Sequence, residues 1–446
     1  MKKVIRNLNN LTPSRFNVIV KNVDSLKLYN SYTGKIAKFD NENQKKVLSI
    51  LKSKNIEIEK EDLDGEVIEF LNENGYLVNK NTDEFRLSTA LKHKSLSSNR
   101  TLRLIILINE DCNFRCTYCY EDFLKKEIKT EVQTGLINFL EENINNYNHL
   151  HISWFGGEPL KSYETLKKLS KSFLDICEKN NVFYSSDITT NGYLLTPEVF
   201  DTLIDLNVTS YQVTLDGTAE THNKYRVGRN GETTFDEIFS NLEKIRETEH
   251  EFHMILRSNI NQEVSTVMMQ YLDLVEKNFK EDSRFYLHFI AVLNLKGAQD
   301  SSIHLCDSKE LFPIYEEAKE RGFNFDFYKM NLQPNGSECY AANPNSYVIG
   351  SDGMIYKCTV AFNNPYNHVG WLKEDGEMEI FEERLSLWLS GGANEDSNCT
   401  SCYFRPSCHG NACPLERIES GTTPCPPVKK NIKKYINLVG EDLVYA

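Results

Sequence analysis

Between about residues 101 and 330, short apolar segments alternate with amphipathic segments, and this alternation constrains the fold more than any other feature of the chain. A short apolar run predicts a buried strand, and helical periodicity between such runs predicts crossover helices. Six such units predict an α/β fold whose parallel sheet has right-handed crossovers. The predicted strands are Leu102–Ile108, His151–Phe155, Phe183–Thr189, Ser210–Leu215, Phe252–Arg257 and Arg284–Val292. The predicted helices are Glu131–Asn145, Tyr163–Lys179, Pro197–Leu206, Thr234–Thr248 and Val264–Asn278.

Three cysteines, Cys112, Cys116 and Cys119, follow the first predicted strand. They therefore lie on a loop at the carboxyl end of a strand, where barrel-type α/β folds carry their chemistry. Three thiolates at this spacing can bind three irons of a cubane cluster and leave the fourth iron open. Structural zinc sites usually need four ligands, and no fourth Cys or His is near in sequence.

Polar or glycine-rich residues follow the later strands as well, which a purely structural sheet does not need. Two glycines allow a ligand to approach the backbone closely, although a Gly-Gly pair by itself is more often only a turn. For any one of the other residues, a surface ion pair or a loop cap is the alternative. The candidates are Gly156, Gly157 and Glu158 after the second strand, Thr190 and Asn191 after the third, Asp216 and Arg226 after the fourth, and Arg257 and Asn259 at the end of the fifth.

The cysteine loop and the motifs that follow it resemble the radical S-adenosylmethionine (SAM) superfamily over residues 101–330. The resemblance implies a partial (β/α)6 barrel of the TIM type. It also implies that SAM binds the open iron and is cleaved to a radical that removes hydrogen from a substrate, with an electron donor such as flavodoxin or ferredoxin. By the same resemblance, Gly156, Gly157 and Glu158 bind the amino group of SAM. Arg226, or as second choice Arg257, binds its carboxylate, while Thr190, Asn191, Asp216 and Asn259 lie where ribose contacts are expected and Tyr118 near the adenine.

Seven more cysteines lie in the last quarter of the chain, where Tyr347–Ile349 and Met354–Tyr356 predict a tight hairpin. A zinc ribbon would need two CxxC pairs, and only Cys399 and Cys402 form one. The pattern resembles the SPASM extension of radical SAM peptide maturases, which holds two auxiliary [4Fe–4S] clusters and would bring the total to three. The resemblance assigns Cys339, Cys358 and Cys413 to the first cluster, and Cys399, Cys402, Cys408 and Cys425 to the second. The four-residue gap between Cys408 and Cys413 departs from the commoner three.

The first ninety residues predict three strands, Val18–Lys21, Leu26–Asn30 and Ile36–Phe39, then helices at Glu42–Lys52 and Leu63–Asn74 and a short strand at Tyr76–Asn79. This order resembles the winged-helix modules of natural-product maturases, in which a leader peptide adds a strand to the sheet edge. A capping domain without a binding role is the alternative. The expected domains are 1–80 for the winged-helix-like module, 81–100 for a linker, 101–330 for the radical SAM core, 331–430 for the SPASM domain and 431–446 for a tail.

Charge and hydropathy argue against nucleic-acid-binding and membrane proteins. The net charge of −13 argues against a nucleic-acid-binding protein, which would present a basic face. The sequence has neither a signal peptide nor a membrane-spanning window, so we expect a cytoplasmic protein without a membrane partner. Ten cysteines in two ordered groups in such a compartment favour metal ligation over disulfides.

Together these features predict a radical SAM maturase that acts on a ribosomally made precursor peptide with a leader and forms a crosslink, foremost a Cys thioether. Carbon–carbon crosslinking is the first alternative, and a sulfatase-type maturase that makes formylglycine is the second. The lack of a further Cys between Tyr340 and Val348 and the additional N-terminal module disfavour the second. A non-enzyme alternative is a winged-helix DNA-binding regulator with an iron–sulfur sensor. The sequence identifies no general base.

Overall fold

The structure is a computed structural model that describes residues 10–53, 65–98, 100–292, 305–306, 308–323, 325–391 and 396–445. The chain divides into two compact units, each assembled from separate stretches of sequence. The larger unit contains residues 100–324 and 343–389, and the smaller contains residues 1–99, 325–342 and 390–446. Among the described residues, no helix has the length and apolar character needed to cross a membrane.

The strands are, in chain order, β1 (Leu11–Pro13), β2 (Asn17–Lys21), β3 (Leu26–Asn30), β4 (Ile36–Phe39), β5 (Leu77–Asn79), β6 (Thr101–Asn109), β7 (His149–Gly156), β8 (Phe183–Thr190), β9 (Val208–Thr214), β10 (His253–Ile260), β11 (Phe285–Ala291), β12 (Ser346–Ile349), β13 (Met354–Tyr356), β14 (His368–Leu372), β15 (Met378–Ile380) and β16 (Leu443–Tyr445). The α-helices are α1 (Asn41–Ile50), α2 (Gly65–Glu73), α3 (Glu84–Ser98), α4 (Thr130–Asn143), α5 (Tyr163–Lys179), α6 (Pro197–Asp205), α7 (Ala219–Tyr225), α8 (Phe235–Arg246), α9 (Gln262–Thr266), α10 (Met268–Phe279), α11 (Phe312–Glu320), α12 (Asp326–Met330), α13 (Glu382–Leu389), α14 (Ser397–Thr400), α15 (Arg405–Cys408), α16 (Pro414–Ser420), α17 (Pro427–Lys430) and α18 (Ile432–Leu438).

The larger unit is built on one ten-stranded sheet with the order β11-β10-β9-β8-β7-β6-β12-β13-β14-β15. Strands β6 to β11 are parallel and adjacent in chain order, which confirms the predicted parallel α/β sheet. The predicted hairpin β12–β13 is also present, and β12 adds to the sheet in parallel beside β6. The sheet therefore continues past the six predicted strands into antiparallel strands β13 to β15.

The two faces of the parallel strands have different environments. On β7, Leu150, Ile152 and Trp154 are fully buried, while the alternating residues between them are half-buried. Trp154 stacks on Phe173 of α5, with ring centroids 6.1 Å apart. Because strand side chains alternate between faces, one face packs against the helices and the other carries polar residues towards the open side of the sheet.

The smaller unit contains the predicted three-stranded meander β2–β3–β4, extended on the β4 side by β16. Strands β1 and β5 form a separate antiparallel pair. The core of this unit includes Leu28, Phe39, Val47, Leu71 and Tyr76, which are all almost fully buried. Strand and helix residues of the N-terminal stretch thus share one core, with α2 following α1 as the sequence predicts.

Two stretches of the smaller unit differ from the domain boundaries expected from sequence. Residues 81–100, suggested as a linker by their polar composition, contain the helix α3, on which Ser88 accepts a hydrogen bond of 3.0 Å from Arg405 Nε. Residues 431–446, suggested as a tail, form α18 and β16. Both are anchored by a few contacts from distant parts of the chain, which local composition does not reveal.

Gly156 and Gly157 let the end of β7 pack against the end of β6. A Cβ atom on Gly156 would lie 2.2 Å from the Asn109 carbonyl oxygen, and one on Gly157 would lie 2.7 Å from the Asp111 carbonyl oxygen. Gly157 N–H donates to Asn109 O at 2.9 Å, and Glu158 N–H donates to Asp111 O at 3.1 Å. The glycines therefore fix the start of the cysteine loop by a close approach of backbone to backbone.

We predict that Gly157→Ala lowers the free energy of unfolding by about 1–3 kcal/mol, because the new methyl group overlaps backbone that can only move with the loop. Gly65→Ala is the matched control, since a Cβ there meets no atom within 4 Å. Thermal unfolding of both variants measures the effect. Equal stability of the two variants would contradict the proposed role of the contact.

Candidate cofactor site

The cysteine loop is held by backbone hydrogen bonds to the segment that follows α7. Arg115 N–H donates to Val227 O at 2.9 Å, and Thr117 N–H donates to Tyr225 O at 3.0 Å. Arg229 N–H donates in the opposite direction, to Asn113 O at 2.8 Å. This pairing brings residues more than a hundred positions apart together and places Arg226 beside the thiols.

The three thiols lie in a largely buried environment. Cys112 and Cys116 are 7% and 9% exposed, and Cys119 is half-buried. Burial raises the pKa of all three, that of Cys119 to about 12. The Cys112 sulfur accepts from Phe114 N–H at 3.3 Å and from Asn191 Nδ2 at 3.8 Å. Hydrogen bonds to sulfur are typical of cluster-binding thiolates, which need such compensation when buried.

A buried polar network links five of the predicted SAM contacts. The Tyr118 hydroxyl donates to Asp216 and accepts from Arg226 Nη1 at 2.7 Å and from Asn259 Nδ2 at 3.2 Å. Asn259 N–H donates to the second Asp216 oxygen at 2.7 Å, and Arg257 Nε donates to Asn259 Oδ1 at 3.0 Å. Tyr118, Asp216, Arg226, Arg257 and Asn259, chosen separately from sequence, therefore form one hydrogen-bonded group.

His222, which sequence analysis did not single out, supports this network from behind. Its Nδ1 accepts from Asp216 N–H at 3.2 Å, which assigns the ring proton to Nε2. Nε2 then donates to Thr234 Oγ1 at 3.2 Å, and Thr234 donates to the Arg226 carbonyl at 2.6 Å. Burial and the nearby charge of Arg226 hold the pKa of His222 well below its usual value.

Glu158 is completely buried behind the site and does not face the cavity described below. One of its oxygens accepts from Leu160 N–H at 3.0 Å and from Thr190 Oγ1 at 2.7 Å, and the other accepts from Asn191 N–H at 2.7 Å. Burial raises its pKa, although these hydrogen bonds oppose the shift. Glu158 therefore ties the end of β7 to the end of β8.

A cavity of about 340 Å³ opens at the carboxyl ends of the parallel strands. All three loop cysteines line it, together with eight of the ten predicted cofactor contacts: Tyr118, Gly156, Gly157, Thr190, Asn191, Arg226, Arg257 and Asn259. Thr359 and Val360, which directly follow Cys358, also line it. The described residues contribute no carboxylate and no imidazole to the lining.

Asp111 is a second residue that sequence analysis missed, although it directly precedes the first cysteine. Its carboxylate contacts Lys161 Nζ at 2.5 Å, Arg115 Nη2 at 3.1 Å and Arg229 Nη1 at 3.1 Å. Burial would raise the pKa of Asp111, but hydrogen bonds from Lys161, the Cys112 backbone and Arg115 lower it to about 2. Three cations from three segments thus anchor the start of the loop.

A further polar cluster lies on the same strand face, deeper in the sheet than the cavity lining. His151 is hydrogen-bonded to Ser185 at 2.8 Å and to Asp187 at 2.7 Å, and Ser153 donates to Asp187 at 2.8 Å. His149 contacts the same Ser185 hydroxyl at 2.8 Å. The alternation of polar residues along β7 and β8 is the sequence signal for this cluster.

In the smaller unit, Cys402 lies near both Cys399 and Cys408, and Cys425 lies near Cys399. Burial raises the pKa of Cys399, with Cys402 and Cys425 adding to the shift. Burial likewise raises that of Cys408 to about 12, with contributions from Cys402 and Cys399. Lys429 Nζ donates to the Cys425 sulfur at 3.2 Å. These are the four cysteines that the resemblance assigns to one auxiliary cluster.

The donor groups fit the expected cofactors. In the described part of the chain, no three His, Cys, Asp or Glu side chains converge on one point as ligands of a single metal ion do. A cubane cluster needs a different arrangement, because each thiolate binds a separate iron. Arg226 Nε is buried at the cavity without a hydrogen-bond partner, which suits an anionic ligand such as the carboxylate of an amino acid.

We predict that His222 makes the protein acid-sensitive. Below the unfolded pKa of about 6.5, the unfolded chain binds a proton that folded His222 rejects, so the free energy of unfolding falls as pH is lowered, by up to about 1.4 kcal/mol per pH unit. Unfolding between pH 7.5 and 5.5 should show a shallower dependence in His222→Gln than in the wild type. The exposed His253→Gln is the control, and equal slopes in all three proteins would contradict this role.

Comparison with known proteins agrees with this geometry. Residues 106–263 match the family model described as the radical SAM superfamily. The chain is 27% identical over 337 residues to the cysteine-type anaerobic sulfatase-maturating enzyme of Clostridium novyi, covering 68% of this chain and 86% of that protein.

Two solved structures share the fold. The sulfatase-maturating enzyme anSMEcpe, with bound AdoMet and the Kp18Cys peptide, superposes with a TM-score of 0.58 at 19% identity, covering 76% of this chain and 96% of the other. Streptococcus suis SuiB superposes with a TM-score of 0.50 at 17% identity, covering 92% and 97%. The matched family domain contains the cysteine loop, β7 to β10 and the Tyr118–Asp216–Arg226 network. The chain is therefore an enzyme with a radical SAM domain, similar in sequence to a sulfatase-maturating enzyme and in fold to SuiB.

Proposed function

We propose that the protein is a peptide maturase that crosslinks a ribosomally made precursor, with a Cys thioether as the product. One observation supports this most: a single cavity combines the cysteine loop, the arginine–tyrosine–asparagine network and the residues next to Cys358. A cavity of about 340 Å³ suits one ligand of the size of SAM.

The chain's own residues bind and orient the reactants. When bound, the cluster of the cysteine loop and SAM together supply the radical that removes hydrogen from the peptide. Arg226, or as second choice Arg257, would bind the SAM carboxylate, and the backbone at Gly156 and Gly157 would receive the amino group. Asp216 and Asn259 orient the Tyr118 hydroxyl, and Asn259, which lines the cavity, would contact the ribose. Thr190 and Asn191 complete the wall opposite, held in place by Glu158.

Two auxiliary clusters are part of the proposal. Cys399, Cys402, Cys408 and Cys425 would hold one of them, as the resemblance to the SPASM extension assigns. The assignment of Cys339, Cys358 and Cys413 to the other stays a prediction from the resemblance. Thioether formation removes one hydrogen atom from carbon, one proton from sulfur and one further electron; an auxiliary iron–sulfur cluster, held by these cysteines, would supply the acceptor for that electron. Flavodoxin or ferredoxin would supply the electron that starts the cycle.

A sulfatase-type maturase is the second candidate, because the Clostridium novyi relative has that name. Two sequence features favour crosslinking: no additional Cys between Tyr340 and Val348, and an N-terminal module suited to a leader peptide. Products distinguish the candidates, since formylglycine reacts with hydrazides whereas a thioether resists thiol alkylation. Carbon–carbon crosslinking would leave the peptide thiols free. The radical SAM domain argues against the non-enzyme alternative, a DNA-binding regulator.

We predict about twelve irons per chain after anaerobic reconstitution, because three cubane clusters hold four each. Replacing Cys112, Cys116 and Cys119 with Ala should remove about four irons and abolish SAM cleavage. Replacing Cys399, Cys402, Cys408 and Cys425 with Ala should also remove about four irons but retain SAM cleavage without peptide. Iron analysis and assay of 5′-deoxyadenosine measure both effects.

A total of about four irons in the wild type, or zinc in stoichiometric amount, would contradict the auxiliary clusters. Loss of SAM cleavage in both variants would contradict the separation of roles between the two cysteine groups.

A further inference from the structure

Strand β16 occupies the edge of the N-terminal sheet. It pairs with β4 in parallel, with Leu443 opposite Ala37 and Tyr445 opposite Phe39. The meander β2–β3–β4 is contiguous in sequence, whereas β16 arrives from about four hundred residues further along the chain. A segment of the protein itself therefore lies where an added peptide strand would extend the sheet.

The side chains of β16 alternate as those of an edge-bound peptide do. Leu443 and Tyr445 pack against the core of the smaller unit. The Tyr445 ring lies 4.8 Å from that of Phe70 and 5.9 Å from that of Phe39. Val444, between them, is 72% exposed. The edge therefore offers an apolar site, a position open to any side chain, and an aromatic site.

Two carboxylates precede the strand and contact basic or backbone donors. Asp442 accepts from Ile36 N–H at 2.8 Å, and its other oxygen lies 2.7 Å from Lys329 Nζ. Glu441 lies 2.7 Å from Lys27 Nζ, whose side chain is only 8% exposed. The edge at β4 thus has basic and N–H groups that favour acidic residues directly before the apolar ones.

We propose that β16 occupies the binding site of the leader peptide. The leader displaces β16 from β4 and binds parallel to β4. The leader segment that fits has two acidic residues, then an apolar residue, any residue and an aromatic residue. This inference rests on the proposed function and specifies its partner. Replacement is feasible because β16 has only three residues, lies at a sheet edge and is joined to α18 through Gly440. Such short edge segments belong to the least stable parts of a fold.

Competition by β16 lowers the apparent affinity for a peptide by the fraction of molecules with an open edge. Weakening β16 should therefore tighten peptide binding. A labelled synthetic peptide with the sequence of residues 440–446, Gly-Glu-Asp-Leu-Val-Tyr-Ala, is a suitable probe, because it carries every contact that β16 makes.

The test is fluorescence anisotropy of this probe with reconstituted full-length protein. Tyr445→Ala should bind the probe about three- to tenfold more tightly than the wild type, which corresponds to loss of the aromatic contacts of β16. Val444→Ala is the matched control and should bind like the wild type. A probe with Ala in place of Tyr should lose affinity by a similar factor, while one with Ala in place of Val should not.

Equal probe affinities of wild type, Tyr445→Ala and Val444→Ala would overturn the inference. If Tyr445→Ala fails to fold, the two altered probes can still be measured on the wild-type protein. Equal affinity for the probes with and without the tyrosine would reject the aromatic site. A precursor peptide that is modified but does not compete with the probe would reject β4 as the leader site and leave the maturase function intact. Probe affinities as expected, together with no modification of any precursor peptide, would reject the maturase function but support the exchange of β16.

Discussion

Backbone pairing between the cysteine loop and the segment after α7 is the constraint on which the site depends. The hydrogen bonds from Arg115 and Thr117 to residues 227 and 225 determine both the position of the thiols and that of Arg226. Without this pairing, Tyr118 would not reach Asp216. The glycines at the end of β7 and the three cations around Asp111 hold the loop from the opposite side.

The charge at the cavity has the opposite sign to the net charge of the chain. The chain carries a net charge of −13, yet the described lining of the cavity contains two arginines and no carboxylate. The acidic groups of the site, Asp216 and Glu158, lie behind the lining, where hydrogen bonds satisfy them. The carboxylate of a ligand is therefore attracted locally, although the net charge of the whole protein repels anions.

Sequence patterns predicted the parallel sheet well, because each strand from β6 to β11 is marked by local hydrophobicity, and polar or glycine residues follow β6 to β10. Eight of the ten predicted cofactor contacts line one cavity for the same reason, since carboxyl ends of parallel strands meet at one edge. The support of His222 and Asp111 was not predictable, because their partners are distant in sequence. The same holds for β16, whose three residues acquire a structure only by pairing with β4. The boundaries of the two units escaped prediction because each unit combines several stretches of chain.

The central claim is that this enzyme removes a carbon-bound hydrogen from a peptide and joins that carbon to sulfur. The most direct measurement uses a Cys-containing precursor peptide that carries deuterium on its carbon-bound positions and is incubated anaerobically with the protein, SAM and reductant. We expect deuterium in 5′-deoxyadenosine, and a peptide that has lost one carbon-bound deuterium and one thiol proton and cannot be alkylated at one cysteine. Deuterated 5′-deoxyadenosine with every cysteine still alkylated would contradict thioether formation, and undeuterated 5′-deoxyadenosine with an unchanged peptide would contradict the maturase itself.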